Sequence, residues 1–215
     1  MQTVHVFTRK QEYANAASHA LGVGFSVVAL VLLIVYSVSR GTVWDVVSFA
    51  VFGSTMLLLY TCSTLLHSLP QGRAKNVFEI LDHAAIYLFI AGTYTPILLM
   101  VVKGWEGWAL FWTVWAIALA GVVFKVFFVK RFMILSTVGY LLLGWMVVLV
   151  LGPLAHNLPL PGLLYLFGGG VFYTVGTVFY VWKRITYHHA LWHLFVLAGS
   201  ACHFIMVLVY LLPVR

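Results

Sequence analysis

Charge is what this chain most lacks. Asp, Glu, Lys and Arg together make up 8% of its 215 residues, against about 25% in soluble domains. Only five residues are acidic, too few to line an ion-conducting pore with rings of charge. Cysteine is also scarce. Cys62 and Cys202 both fall inside apolar runs, so no disulfide framework is expected. The deficit is filled by apolar residues, at 63% of the chain. No soluble fold of this size has enough interior to hide that much apolar surface. The formal charge of +7 bears on membrane topology and on anionic lipid headgroups, and makes no case for nucleic acid.

What is present is a series of long apolar segments, at 17–39, 44–68, 79–102, 107–127, 133–153, 162–183 and 189–212. Each is long enough to cross a hydrocarbon core of about 30 Å at about 1.5 Å per residue. The separators are short and polar, such as Pro70-Gln71-Gly72-Arg73 and Lys130-Arg131. Consecutive helices are therefore expected to be antiparallel neighbours. This predicts an all-α integral membrane protein, one seven-helix transmembrane domain spanning residues 1–215. The first run is too long for the h-region of a cleaved signal peptide, despite Arg9-Lys10 before it and Ser37-Val38-Ser39 after it. It is read as a retained helix.

The basic residues orient the bundle. One side collects Arg9, Lys10, Arg73, Lys75, Lys125, Lys130, Arg131, Lys183 and Arg184, and the other Arg40, Lys103 and Arg215. That asymmetry predicts a cytoplasmic N-terminus and a C-terminus outside. Lys125 is expected to snorkel from the fourth segment, and Pro96 to kink the third. Gly168-Gly169-Gly170 and Gly176 offer close helix approach in the sixth.

The ionisable residues inside the spans carry the functional signal. His67 closes the second helix, with Ser63 one turn earlier on the same face. Asp82 opens the third, and His189 and His193 open the seventh at a spacing that puts both on one face. The predicted topology brings all of these to one level of the membrane, on the cytoplasmic side. Three imidazoles and a carboxylate at one depth suit Zn²⁺, which in catalytic sites takes three protein ligands and a water. The expected ligands are His67, His189 and His193. Asp82 is expected to hold or deprotonate the metal's water, and Ser63 to orient a ligand or substrate oxygen. Arg73 and Lys75 are the only basic residues in reach of Asp82. His203 lies ten residues past His193, or about 15 Å deeper. It is expected to be a separate buried hydrogen-bonding residue or a polar-channel residue. His19 is expected to cap the first helix or to support the site, and His83 to point away from Asp82. His5, His156 and His188 read as interfacial, and Cys62 as a poor ligand.

These residues also carry a resemblance. Glu12-Tyr-Ala-Asn15-Ala-Ala-Ser-His19-Ala-Leu-Gly22, Ser63-Thr-Leu-Leu-His67, Leu81-Asp82-His83 through Gly92-Thr-Tyr-Thr-Pro96, and His189-Ala-Leu-Trp-His193 with His203 together resemble the hemolysin III family. That family is the bacterial branch of the progestin and adipoQ receptors, which include the adiponectin receptors. The resemblance implies a multi-pass protein of the bacterial cell (inner) membrane, with zinc near the cytoplasmic leaflet. His67, His189 and His193 match the family's ligands, Asp82 its water-contacting carboxylate and Ser63 its associated serine. Similarity to the alkaline ceramidases at the zinc site implies hydrolysis of a membrane lipid amide or ester, and a role in membrane homeostasis. The competing expectations are a non-enzymatic homeostasis or sensing protein with structural zinc, and a receptor or pore-forming hemolysin. The short loops leave a protein ligand little to grip.

Overall fold

The computed structural model describes residues 7–211, and seven helical spans among them are long and apolar enough to cross a membrane. The helices are α1 (Arg9–Arg40), α2 (Val43–Ser68), α3 (Arg73–Pro96), α4 (Gly104–Phe128), α5 (Met133–Trp145), α6 (Leu151–Asn157), α7 (Leu160–Val181) and α8 (His188–Ile205). Helices α5 and α6 form one span, joined by a 3₁₀ stretch at Met146–Val150. His5, Arg215 and the last residue of the seventh predicted segment lie outside the described residues.

Consecutive spans pack side by side, and α1 also packs on α8, which closes the bundle. The most buried span is α3. On α1, by contrast, Val27, Val28, Val31, Val35 and Val38 are exposed. Apolar side chains are tolerated on an outer surface of this kind when the surrounding medium is lipid.

Two of the differences in extent from the segments read in the sequence matter for the site. Helix α1 begins at Arg9 rather than near residue 17. Thr8 and Gln11 form a capping box that satisfies its first amides: Gln11 N donates to Thr8 Oγ1 at 3.4 Å and Thr8 N to Gln11 Oε1 at 2.8 Å. Helix α3 begins at Arg73, so Asp82 sits more than two turns inside it instead of opening it.

The breaks have local causes. Pro96 lacks a backbone donor, and beyond it the span continues in π-helical geometry over Ile97–Val102. The Tyr94 hydroxyl enters the ladder of α5. It donates to Gly144 O at 2.6 Å and accepts from Val147 N at 2.7 Å, where the 3₁₀ stretch begins. Lys125 does not snorkel outward. It is buried with its ammonium 6.0 Å from the centre of the Tyr140 ring. Of the glycines expected to allow close approach in α7, Gly169 and Gly176 do so, whereas Gly168 faces open space. A Cβ on Gly169 would meet the His203 ring, and one on Gly176 would meet Trp192 and Phe195.

Candidate metal centre

Four helices build the centre. The end of α2 delivers His67, the first turns of α8 deliver His189 and His193, α3 delivers Asp82, and the first half of α1 lies across them. The rings of His67 and His189 are 5.0 Å apart between centroids, those of His67 and His193 5.3 Å, and those of His189 and His193 4.5 Å. One ring nitrogen from each of the three lies within 4.8 Å of the other two, a group that could hold a metal ion.

Helix α1 fixes the ring orientation of two of them, His67 and His193. His67 Nδ1 lies 2.6 Å from Glu12 Oε2. A carboxylate oxygen accepts, so Nδ1 carries the proton and Nε2 carries the lone pair. That Nε2 is buried and has no hydrogen-bond partner. Glu12 is held in turn by Lys75, whose ammonium donates to Oε1 at 2.8 Å and to Leu66 O at 2.9 Å. His193 is fixed by a parallel device. Its Nδ1 is 3.1 Å from Asn15 O and 3.0 Å from Ser18 Oγ. Ser18 already donates its own proton to Asn15 O at 2.8 Å. Both neighbours therefore accept from Nδ1, and Nε2 of His193 is left as a lone-pair donor to a metal. Histidine ligands held through the other ring nitrogen by a carboxylate or a backbone carbonyl are the usual support of a metal site.

The remaining expected residues take distinct places. Asp82 and Ser63 are buried and line one cavity with His189 and His193. Ser63 Oγ lies beside the Asp82 carboxylate and has no other partner among the described residues. Neither Arg73 nor Lys75 serves Asp82: Arg73 is exposed and Lys75 is engaged with Glu12. The ring nearest to the Asp82 carboxylate is instead that of His83, whose Nδ1 is 3.7 Å from Asp82 Oδ2. His83 thus corrects the expectation that it points away. Adjacent positions on a helix diverge by about 100°, yet the ring folds back to donate to Glu79 O at 2.8 Å and lines the same cavity.

His19 does not cap α1, because the helix starts ten residues before it. It stacks on His193 at 3.4 Å between centroids and meets Tyr60 edge-on at 5.0 Å, with neither ring nitrogen hydrogen-bonded. His188 is not interfacial either. It is buried, and its Nδ1 donates to Phe179 O at 3.0 Å. His156 is exposed at the end of α6, as an interfacial residue would be. Phe7 covers the outer side of the cluster, 5.1 Å from the His189 ring and 6.0 Å from that of His67.

The positions to which sequence reasoning gave no role are Glu12, Asn15 and Ser18. Their signal was available: Glu12, Asn15 and His19 are spaced three and four apart and so share one helical face. It required a helix beginning at Arg9.

The cavity runs from Asp82 and the histidines between α3, α5, α7 and α8, and reaches Ile97 and His203. Asp82 and Ile97 are fifteen residues apart on one span, about 22 Å along a helix axis. Apart from the polar groups at its ends, it is walled by residues such as Ile86, Phe89, Ile90 and Leu166.

Known proteins match this chain over most of its length. The family model described as Haemolysin-III related covers residues 7–204. The chain is 53% identical over 209 residues to a hemolysin-3 homolog of Bacillus subtilis (strain 168), covering 97% of this chain and 98% of that protein. It is 47% identical over 204 residues to hemolysin-3 of Bacillus cereus, covering 95% and 93%. A more distant match, 27% identical over 204 residues, is the human monocyte to macrophage differentiation factor, covering 92% and 83%. With seven apolar spans, a histidine cluster that could hold a metal, and a family match across nearly all of both, the chain belongs to the haemolysin-III-related family of multi-pass membrane proteins.

Proposed function

We propose that this protein is a zinc-dependent hydrolase of a membrane lipid amide or ester, through which it acts on membrane homeostasis. The observation that carries the reading is the buried, unpartnered Nε2 of His67. Its ring is locked by Glu12 and faces two more imidazoles at the head of a long apolar cavity.

His67, His189 and His193 would hold the ion, an all-imidazole set that suits zinc and leaves a coordination position open. Zn²⁺ bound there supplies Lewis acidity toward a carbonyl and lowers the pKa of a water toward about 7. The chain's own residues do the rest. Asp82, buried beside the cluster, accepts a proton on its carboxylate and passes it on to the leaving amine or alcohol. Ser63 Oγ, beside the Asp82 carboxylate, orients a substrate oxygen. Glu12 and the Asn15 carbonyl keep two imidazoles in the tautomer that offers Nε2. The apolar cavity accepts the acyl chain and keeps bulk water away from the reacting carbonyl. The excess of Lys and Arg at the end of the bundle carrying the cluster supports a cytoplasmic N-terminus, with the site near the cytoplasmic leaflet.

The test is release of fatty acid from a panel of lipid amides and esters by the purified, zinc-loaded protein. Activity should disappear on chelation. It should fall by about 10²–10⁴-fold in Asp82→Asn, the range for loss of a general base. Wild-type protein inert toward the panel, in cells where Asp82→Asn keeps normal membrane behaviour, would favour structural zinc in a non-enzymatic protein.

A further inference from the structure

Polar groups also line the cavity at its deep end, away from the triad. His203 Nε2 lies 3.0 Å from Leu166 O, which can only accept, so Nε2 carries the ring proton. Nδ1 is then an acceptor, and it is buried with no partner. The Nε2 edge of the ring faces α7, where a Cβ on Gly169 would meet it, which turns Nδ1 away from that helix.

Beside it, Ser200 donates to Val196 O at 2.9 Å and accepts from Tyr60 OH at 2.7 Å. The Tyr173 hydroxyl is 3.0 Å from the same Ser200 oxygen. Since the serine proton is already engaged, Tyr173 donates, and only the lone pairs of its oxygen remain. Thr93 and Thr174, also on this wall, give their protons to Phe89 O and Gly170 O. His203 Nδ1 and Tyr173 Oη are therefore spare acceptors on two cavity-lining residues whose rings meet edge-on at 5.4 Å, with His203 about 15 Å deeper along α8 than His193.

We infer that His203 and Tyr173 form a recognition station for a hydroxyl group carried partway along a lipid acyl chain whose polar head lies at the histidine triad. The chemistry selects this class. Carboxylates, carbonyls and ethers have no donor to offer two acceptors. An ammonium would donate, but a charge at this depth in a bilayer is costly. A hydroxyl donates one hydrogen bond, stays neutral and fits on a hydrocarbon chain. The inference rests on the proposed reading that the cavity takes an acyl chain. It does not depend on catalysis or on the identity of the metal.

The experiment measures binding of long-chain fatty acids of equal length to the purified full chain in detergent, by competition against a fluorescent fatty acid. Three probes are compared: the unsubstituted acid, the acid with a hydroxyl moved carbon by carbon along the chain, and the methyl ether at each same carbon. The wild type should prefer the hydroxyl over the methyl ether by about three- to tenfold, the effect of one hydrogen bond, at one or two adjacent carbons only. His203→Phe should abolish that preference and still bind the unsubstituted acid. Tyr173→Phe, a smaller change in shape, should reduce it.

Equal affinity for hydroxyl and ether along the whole series in the wild type would overturn the inference and point to a water at the station. A preference that survives in His203→Phe would overturn it as well. Failure of every acid to bind the wild type would remove the acyl-chain reading of the cavity, and the station with it. Binding without hydroxyl preference removes the station alone.

Discussion

Helix α8 carries the same residue type to two different ends. At its start, His189 and His193 face a third imidazole, and the protons of His67 and His193 are drawn off by groups on α1, which leaves their Nε2 lone pairs facing inward. Near its end, His203 is held by one backbone carbonyl of α7 and has no titratable neighbour in the cluster of three. A buried imidazole in a membrane helix can be stabilised by one acceptor alone, as His203 is. Three imidazoles gathered at one point, two of them with lone pairs turned inward, are not explained by packing. The difference marks the first as a metal centre and sets the second apart from it.

The comparison can be broken in several ways. The largest effect is expected from Glu12→Ala, which removes the carboxylate that holds His67 and leaves Lys75 without its partner. Zinc affinity should fall by about 10–100-fold, the usual cost of losing such a support, in a titration against a chelator of known strength. An unchanged affinity would show that α1 merely covers the site. Next is Gly169→Val at the other end. Its branched side chain would be driven into the His203 ring, and overpacking of this kind costs about 1–3 kcal/mol. Unfolding in graded denaturing detergent should show that loss, with metal content per folded chain unchanged. The smallest effect is expected from His203→Phe, which loses one hydrogen bond worth about 1 kcal/mol and should keep the metal in full. Metal loss in His203→Phe would merge the two ends of α8 into one system.

The same contrast explains what was legible in the sequence. The seven spans and the joint level of His67, His189, His193 and Asp82 follow from hydropathy, short loops and a four-residue spacing, all of them local patterns. The role of α1 was hidden because its first two turns, with Arg9, Lys10, Gln11, Glu12 and Asn15, are polar and fall outside any apolar window. Two of them are polar for a reason found only in three dimensions: Glu12 and Asn15 meet histidines from α2 and α8. His83 was misjudged for a similar reason, since a ring that bonds back to its own helix leaves the direction its Cα suggests. The break in α5 depends on the Tyr94 hydroxyl from another span, and nothing in the sequence of α5 announces it.

The central claim is that the first half of the α8 comparison is a metal centre. It is tested most directly by quantifying metals in protein purified without chelator, wild type beside His193→Ala. The account predicts about one zinc per chain in the wild type and almost none in His193→Ala, with the variant still folded as a helical membrane protein. A wild type free of zinc, or a variant that retains it in full, would contradict the account.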